Sequence, residues 1–228
     1  MNRRHSVEVL IWLATFLVVP LSSLPSSLRA ADAAPDEKSV SKFVRKAYIH
    51  GIPIREAREL GPEDIGSLKR LLRDPGEVRH WANIVDTINY IGSPEGYAII
   101  EDFLWNRFKG EVGLSTFQAL ISSQMTRGYL VARNLQFYEE LSKGLDPQHW
   151  MKLEWGFEGQ EGRKLAVIMS MATITAIATT GTDEALVTLR ALKEKPYAPR
   201  QIGSIEDGLV RVEEIRAAGG FDKWLGVD

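Results

Sequence analysis

Apolar residues recur at helical spacing along most of the chain. From Trp81 to Ile91 the apolar positions are 81, 84, 85, 88 and 91, which lie along one side of an α-helix. A second set, at positions 97, 100, 103 and 104, follows after only a few residues. Because a short connection folds consecutive helices back on each other, this pattern predicts an antiparallel helix hairpin.

The connection in this hairpin contains residues that end one helix and begin the next. In IGSPE (91–95) the glycine can adopt the left-handed conformation that ends a helix, and the serine can cap the following one. Proline suits the first helical position, and glutamate suits the positive end of the helix dipole. The segment TGTDE (180–184) repeats this pattern 89 positions later, again between two sets of apolar positions at helical spacing. The same hairpin is therefore predicted twice.

Weaker versions of the motif surround these two. GPED (61–64) precedes one apolar stripe, and DPGE (74–77) opens the helix that contains Trp81. Gly128 is predicted to end a helix, and Ser204 to begin a last helix that stops at Gly219. No segment shows the sustained alternation of a strand, and the threonine- and isoleucine-rich stretch 168–182 has helical spacing.

These motifs resemble the HEAT-like repeat family of α-solenoids. The resemblance rests on INYIGSPEGYAIIEDFL (88–104), IATTGTDEALVTLRAL (177–192), RDPGEVR (73–79) and REARELGPEDIGSLKRLL (55–72), and covers roughly 55–194. It implies an all-α fold, a right-handed α-solenoid of stacked antiparallel helix hairpins with about four irregular repeats. In such a fold each hairpin buries its apolar side against its neighbours.

The predicted repeat domain spans 55–218, after an N-terminal tail and capping helix at 34–54 and before a C-terminal tail at 219–228. Residues 1–33 have the layout of a secretory signal peptide: two arginines, an apolar run at 10–19 and a small-residue cleavage pattern at 31–33. The alternative is a membrane anchor, but the run is about half of the ~20 residues that span a bilayer. We therefore expect a bacterial protein that is periplasmic or secreted after cleavage, without a stable transmembrane anchor.

The composition excludes several kinds of functional site. The chain has no cysteine, which excludes disulfides, thiolate metal sites and a cysteine nucleophile. Its net charge of -2 provides no basic field for nucleic acid. Glycines interrupt the stretch LDPQHWMKLEWGFEGQEGRKL (145–165), so a continuous helix is not expected there.

This aromatic insert supplies the first candidate binding residues, Trp150, Trp155 and Phe157. Such side chains anchor interfaces, although the same residues could instead fill the core where one repeat is irregular. Arg127 and Arg133, on either side of Gly128, could line a concave surface and pair with an acidic partner. The alternative for these arginines is an ordinary salt-bridged helix surface.

No catalytic set is found in the sequence. His50, His80 and His149 lack the spacing of a local metal site, and the histidine–glutamate pairs of HEAT-like iron hydroxylases are absent. We therefore expect no catalytic residue, no metal and no cofactor, and a non-enzymatic scaffold that binds another exported protein or a peptide. The alternative is an enzyme accessory resembling the HEAT-like lyases that attach tetrapyrroles, with a small ligand held against the aromatic insert.

Overall fold

The structure, a computed structural model, describes residues 37–48 and 51–226 and folds most of them into helices. The predicted all-α class is confirmed. The helices are α1 (Glu37–Val44), α2 (Ile54–Ala57), α3 (Ile65–Arg73), α4 (Trp81–Ile91), α5 (Pro94–Trp105), α6 (Leu114–Arg133), α7 (Tyr138–Lys143), α8 (Pro147–Trp150), α9 (Arg163–Thr179), α10 (Asp183–Leu192), α11 (Ile202–Ala217) and α12 (Phe221–Leu225). Two strands, β1 (Gly110–Glu111) and β2 (Trp155–Gly156), pair in parallel.

The predicted signal peptide at 1–33 lies outside the described residues. Within the described part of the chain, no helix combines the length and the apolar composition that crossing a bilayer requires.

The two helix–helix connections with the clearest sequence motif, at 91–95 and 180–184, form as the sequence predicts. Gly92 ends α4 with a left-handed φ of 71°, and the Ser93 side chain caps α5 with a hydrogen bond of 3.1 Å. Gly181 follows α9 with a φ of 64°, and the Thr182 side chain caps α10 with a hydrogen bond of 3.1 Å. In each case the donor is the backbone N–H three residues after the capping side chain, where a free helix N-terminal N–H group needs a partner.

The long helices contact one another in chain order. Helix α4 packs against α6, α6 against α9, and α9 against α11, and we call these four helices the first row. Helix α5 packs against α4 and α6, α7 and α8 against α9, and α10 against α9 and α11, and we call α5, α7, α8 and α10 the second row. The buried apolar side chains form one cluster from α1 to the start of α9, a second from α5 to α11, and a small third cluster of Ile52, Ala57 and Tyr90.

The prediction that Gly128 ends a helix is wrong, because α6 continues through it to Arg133. A Cβ atom on Gly128 would lie 2.1 Å from the carbonyl oxygen of Ala176 in α9. The glycine is therefore needed for the close approach of two first-row helices, and its backbone conformation is helical.

The C-terminal tail predicted at 219–228 contains a further helix, α12, which packs on α11. The Asp222 carboxylate forms a 3.0 Å ion pair with Arg58, just after α2, and the Gly226 carbonyl accepts a hydrogen bond from Arg55. We call these contacts the terminal clasp, because they join a segment before α3 to the last described residues. A charged pair so far apart in sequence gave no local pattern from which to predict it.

Candidate functional site

The two tryptophans of the aromatic insert lie in the core. Each is 2% exposed. Trp150 stacks on Trp105 with ring centroids 5.1 Å apart, and its indole N–H donates to the Gly144 carbonyl at 2.7 Å. The Trp155 indole N–H donates to the Leu104 carbonyl at 3.0 Å. Neither ring is accessible to a partner, so the candidate assignment of Trp150 and Trp155 to a binding surface is corrected to a core role.

Phe157 is the candidate residue of the insert that reaches the surface. It is half-buried and stacks on Phe117 of α6 with ring centroids 4.5 Å apart. Positive φ angles at Glu158, Gly159 and Gly162 turn the chain back sharply after it. The turn borders a cavity of about 500 Å³ whose lining includes Phe157 and three glutamates: Glu111, Glu154 and Glu161.

Arg127 is buried between the two rows and is 3% exposed. Its guanidinium lies 4.1 Å from the ring centre of Tyr97, forms an ion pair with Glu101 of α5, and donates to the Gln124 side-chain oxygen at 3.3 Å. Gln124 in turn donates to the Thr173 hydroxyl of α9 at 2.9 Å. This network joins α5, α6 and α9, so Arg127 is corrected from a candidate surface residue to an internal charge.

The Arg127–Glu101 pair is asymmetric, and this asymmetry predicts an order of stability. Glu101→Gln leaves a buried guanidinium without a counter-charge and should cost about 2 kcal/mol of unfolding free energy. Arg127→Met leaves a carboxylate whose side chain is 33% exposed and can be hydrated, so it should cost about 1 kcal/mol or less.

Urea unfolding at pH 7 measures both variants and the double variant. The double variant should recover part of the loss caused by Glu101→Gln, because the unpaired charge is then gone. Equal losses in the two single variants, with no recovery in the double variant, would show that the buried charge does not set the stability.

Arg133 stands at the exposed end of α6 and belongs to the terminal clasp. Its guanidinium lies 3.5 Å from the Asp222 carboxylate that also pairs with Arg58. Tyr129, one turn earlier on α6, contacts Phe221 of α12 with ring centroids 5.3 Å apart. Arg133 therefore remains accessible, but its nearest charged partner is within the protein.

The side of the first row that faces away from the second row forms a further candidate surface, with half-buried side chains around the exposed Met125. We call it the first-row face. On α6, positions 122, 125, 126 and 129 share one side of the helix because they are three or four residues apart. Their counterparts on α9 and α11 are half-buried, whereas the residues facing the second row are buried. The first-row face comprises Asp86, Ser122, Met125, Thr126, Tyr129, Met171, Thr175 and Arg211.

Asp86 links α4 to α6 on this face. Its carboxylate accepts hydrogen bonds from Ser122 at 2.6 Å and from Thr126 at 3.0 Å. Burial of the carboxyl raises the pKa of Asp86 to about 6, although these two hydrogen bonds act in the opposite direction. Beside it, Tyr90 and Tyr129 meet edge to face with ring centroids 4.8 Å apart. The site is thus a row of hydroxyl and carboxyl groups bordered by aromatic and methionine side chains.

The raised pKa of Asp86 predicts a pH-dependent contribution to stability. The folded-state value of about 6 lies above the unfolded value of about 4, so the folded state binds the proton more tightly. The stability from this group is full below pH of about 4 and is lost as the pH rises through about 6. The free energy of unfolding of Asp86→Asn, relative to that of the wild-type protein, should therefore rise by about 1 to 2 kcal/mol between pH 4 and pH 7.5.

Urea midpoints of both proteins across this pH range measure that difference, since the contributions of the other titrating groups to stability are the same in both proteins and cancel. Parallel pH profiles for the two proteins would contradict the assignment.

The residues of the first-row face were not identified from the sequence. Asp86 is 36 positions from Ser122 and 40 from Thr126, so only the folded structure brings them together. Within residues 37–48 and 51–226, no group of three or more histidine and carboxylate side chains is placed to hold a metal ion. Comparisons with protein-family models, with curated proteins and with solved structures find no match to the chain.

Proposed function

We propose that the protein is an exported, non-catalytic HEAT-like repeat protein that binds another exported protein or a peptide along its first-row face. In this proposal it is a right-handed α-solenoid of about four irregular repeats. The chain-order contacts α4–α6, α6–α9 and α9–α11, with second-row helices packed against them, support it. Stacked helix pairs in which each pair contacts its neighbours are typical of solenoids, whose extended surfaces serve binding.

The observation that carries the binding proposal is the character of the first-row face. It crosses consecutive helices, so an extended chain lying on it would contact all of them. Met125, at its centre, is 39% exposed, and a flexible methionine adapts to different partner side chains. The half-buried hydroxyl groups of Ser122 and Thr175 donate their protons within the protein and keep acceptor capacity for the N–H groups of a partner.

Site-specific photo-crosslinking in intact cells tests this proposal. A photo-reactive amino acid replaces Met125 on the first-row face or, as the control, Val187 on α10 of the second row, which is 67% exposed. We expect a discrete crosslinked product from position 125 that is missing from position 187. Identical products from both positions, or none from position 125, would contradict binding at this face. Trp155 is unsuitable as a probe because its ring is buried.

Export is tested separately from binding. We expect the protein in the periplasmic or secreted fraction, with mass spectrometry placing its N-terminus at Ala34. Retention in the cytoplasm with the N-terminal residues intact would contradict export. It would not contradict binding at the first-row face, which the crosslinking experiment tests separately.

The cavity beside Phe157 favours one alternative, an accessory protein that holds a small ligand against the aromatic insert. Its volume of about 500 Å³ is within the range of ligand sites. Native mass spectrometry of the purified protein, compared with Phe157→Ala, tests this alternative. A bound small molecule that is lost in the variant would favour it over the scaffold.

A further inference from the structure

A second cavity, of about 420 Å³, lies between α3 and α5, on elements that contribute nothing to the first-row face. Its floor is apolar and is formed by Leu72, Ile99 and Phe103, each of which is buried. Its rim carries three cationic side chains: Lys69, Arg73 and Arg107. A site of this volume with an apolar floor and a few converging polar groups has the usual form of a small-molecule site.

Aromatic packing holds the guanidinium of Arg107 in place. It lies 4.3 Å from the ring centre of Trp81 and 5.4 Å from that of Phe108, and it donates one hydrogen bond to the Leu72 carbonyl. A guanidinium has five N–H donors, so donors remain for a further acceptor. Stacking also means that little conformational entropy is lost when this group binds an anion.

Within residues 37–48 and 51–226, no ion pair neutralises the positive charge of the three cations. Among the described residues, none of the three forms an ion pair with a carboxylate. The pKa of Arg107 is lowered by burial and by the nearby charge of Arg73, although Asp102 opposes this. Two exposed acids, Glu95 and Asp102, also line the cavity, which leaves it with one net positive charge. An anion bound here would relieve the repulsion between the cations.

We propose that this cleft binds a small organic anion, with its carboxylate or phosphate group on Lys69, Arg73 and Arg107 and its apolar body on Leu72, Ile99 and Phe103. The cations select the charge, and the floor selects an aliphatic or aromatic body over an inorganic ion. This site is independent of the partner-binding proposal, because it lies on α3 and α5.

Isothermal titration of the purified protein tests the site with four probes: 4-phenylbutyrate, phenyl phosphate, inorganic phosphate and the neutral 4-phenylbutanol. We expect at least one organic anion to bind at least about tenfold more tightly than both inorganic phosphate and the neutral alcohol, a difference of about 1.4 kcal/mol. Comparing the two organic anions distinguishes a carboxylate from a phosphate ligand. Equal binding of the neutral alcohol, equal binding of inorganic phosphate, or no binding of either organic anion would overturn the proposal.

Variants locate the binding on the protein. Arg73→Gln, at an exposed position, should weaken binding of the preferred anion about fivefold to tenfold, a change of about 1 to 1.4 kcal/mol. Arg79→Gln is the matched control, because Arg79 is an exposed arginine six positions away that does not line the cleft. It should stay within about twofold of wild type. Equal weakening by both variants would show a general charge effect and overturn the site, and matching thermal unfolding curves would confirm that both variants are folded.

Discussion

Replacing Gly128 with alanine should lower the free energy of unfolding by about 3 kcal/mol or more, or prevent folding altogether. The added Cβ would lie 2.1 Å from the Ala176 carbonyl oxygen and 2.9 Å from the Ala176 Cα. These are backbone atoms of α9, so no side-chain rotation can relieve the overlap. Helices α6 and α9 would have to separate, which would also disturb the nearby hydrogen bond between Gln124 and Thr173.

A second glycine provides the matched control for this substitution. Gly66 is also helical, in α3, but a Cβ there would have no atom within 4 Å. Gly66→Ala should therefore stabilise the protein slightly, by about 0.5 kcal/mol or less, because alanine has the higher helix propensity. Urea unfolding followed by circular dichroism measures both variants. If Gly128→Ala also unfolds at or above the wild-type midpoint, α6 and α9 do not approach as closely as described.

The contrast between Gly92 and Gly128 shows how far the helix boundaries could be predicted from the sequence. The left-handed turn at Gly92 and the cap at Ser93 depend on residues a few positions apart, so local sequence contains the whole signal. Glycine is required at position 128 for a different reason, because the backbone of a helix almost fifty positions later lies against it. Local sequence cannot distinguish a glycine that ends a helix from one that admits a neighbour.

The candidate site was harder to predict, for the same physical reason. Asp86 acquires its raised pKa from burial, which outweighs the opposing hydrogen bonds from two hydroxyl groups on another helix, and its own sequence neighbours reveal neither. Arg127 and Arg133 are both arginines of α6, yet one is 3% exposed and the other stands at the surface. Their difference follows from which side of the helix the second row covers. The residue type showed that both side chains carry a positive charge, and the packing of the helices decides whether that charge is buried or exposed.

The sequence allowed the aromatic insert to be either a binding surface or part of the core. Trp150 lies in the core, so its contribution to stability can be measured. Trp150→Ala should cost about 3 to 5 kcal/mol of unfolding free energy, since a fully buried large side chain leaves a cavity. It would lose the stack on Trp105 and the 2.7 Å hydrogen bond to Gly144. A Cβ on Gly144 would lie 2.8 Å from the Trp150 ring, so the indole is packed tightly against the backbone at this position.

Two further variants separate the parts of this effect. Trp150→Phe keeps an aromatic ring against Trp105 and loses the indole N–H, so it should cost about 1 to 2 kcal/mol. Met151→Ala, at the adjacent position that is 44% exposed, should change stability by less than about 0.5 kcal/mol. Chemical unfolding of the three variants gives this order directly. A Trp150→Ala protein as stable as wild type, yet unable to form the crosslink from position 125, would instead assign the tryptophan to partner binding, because a core residue cannot be removed without a loss of stability.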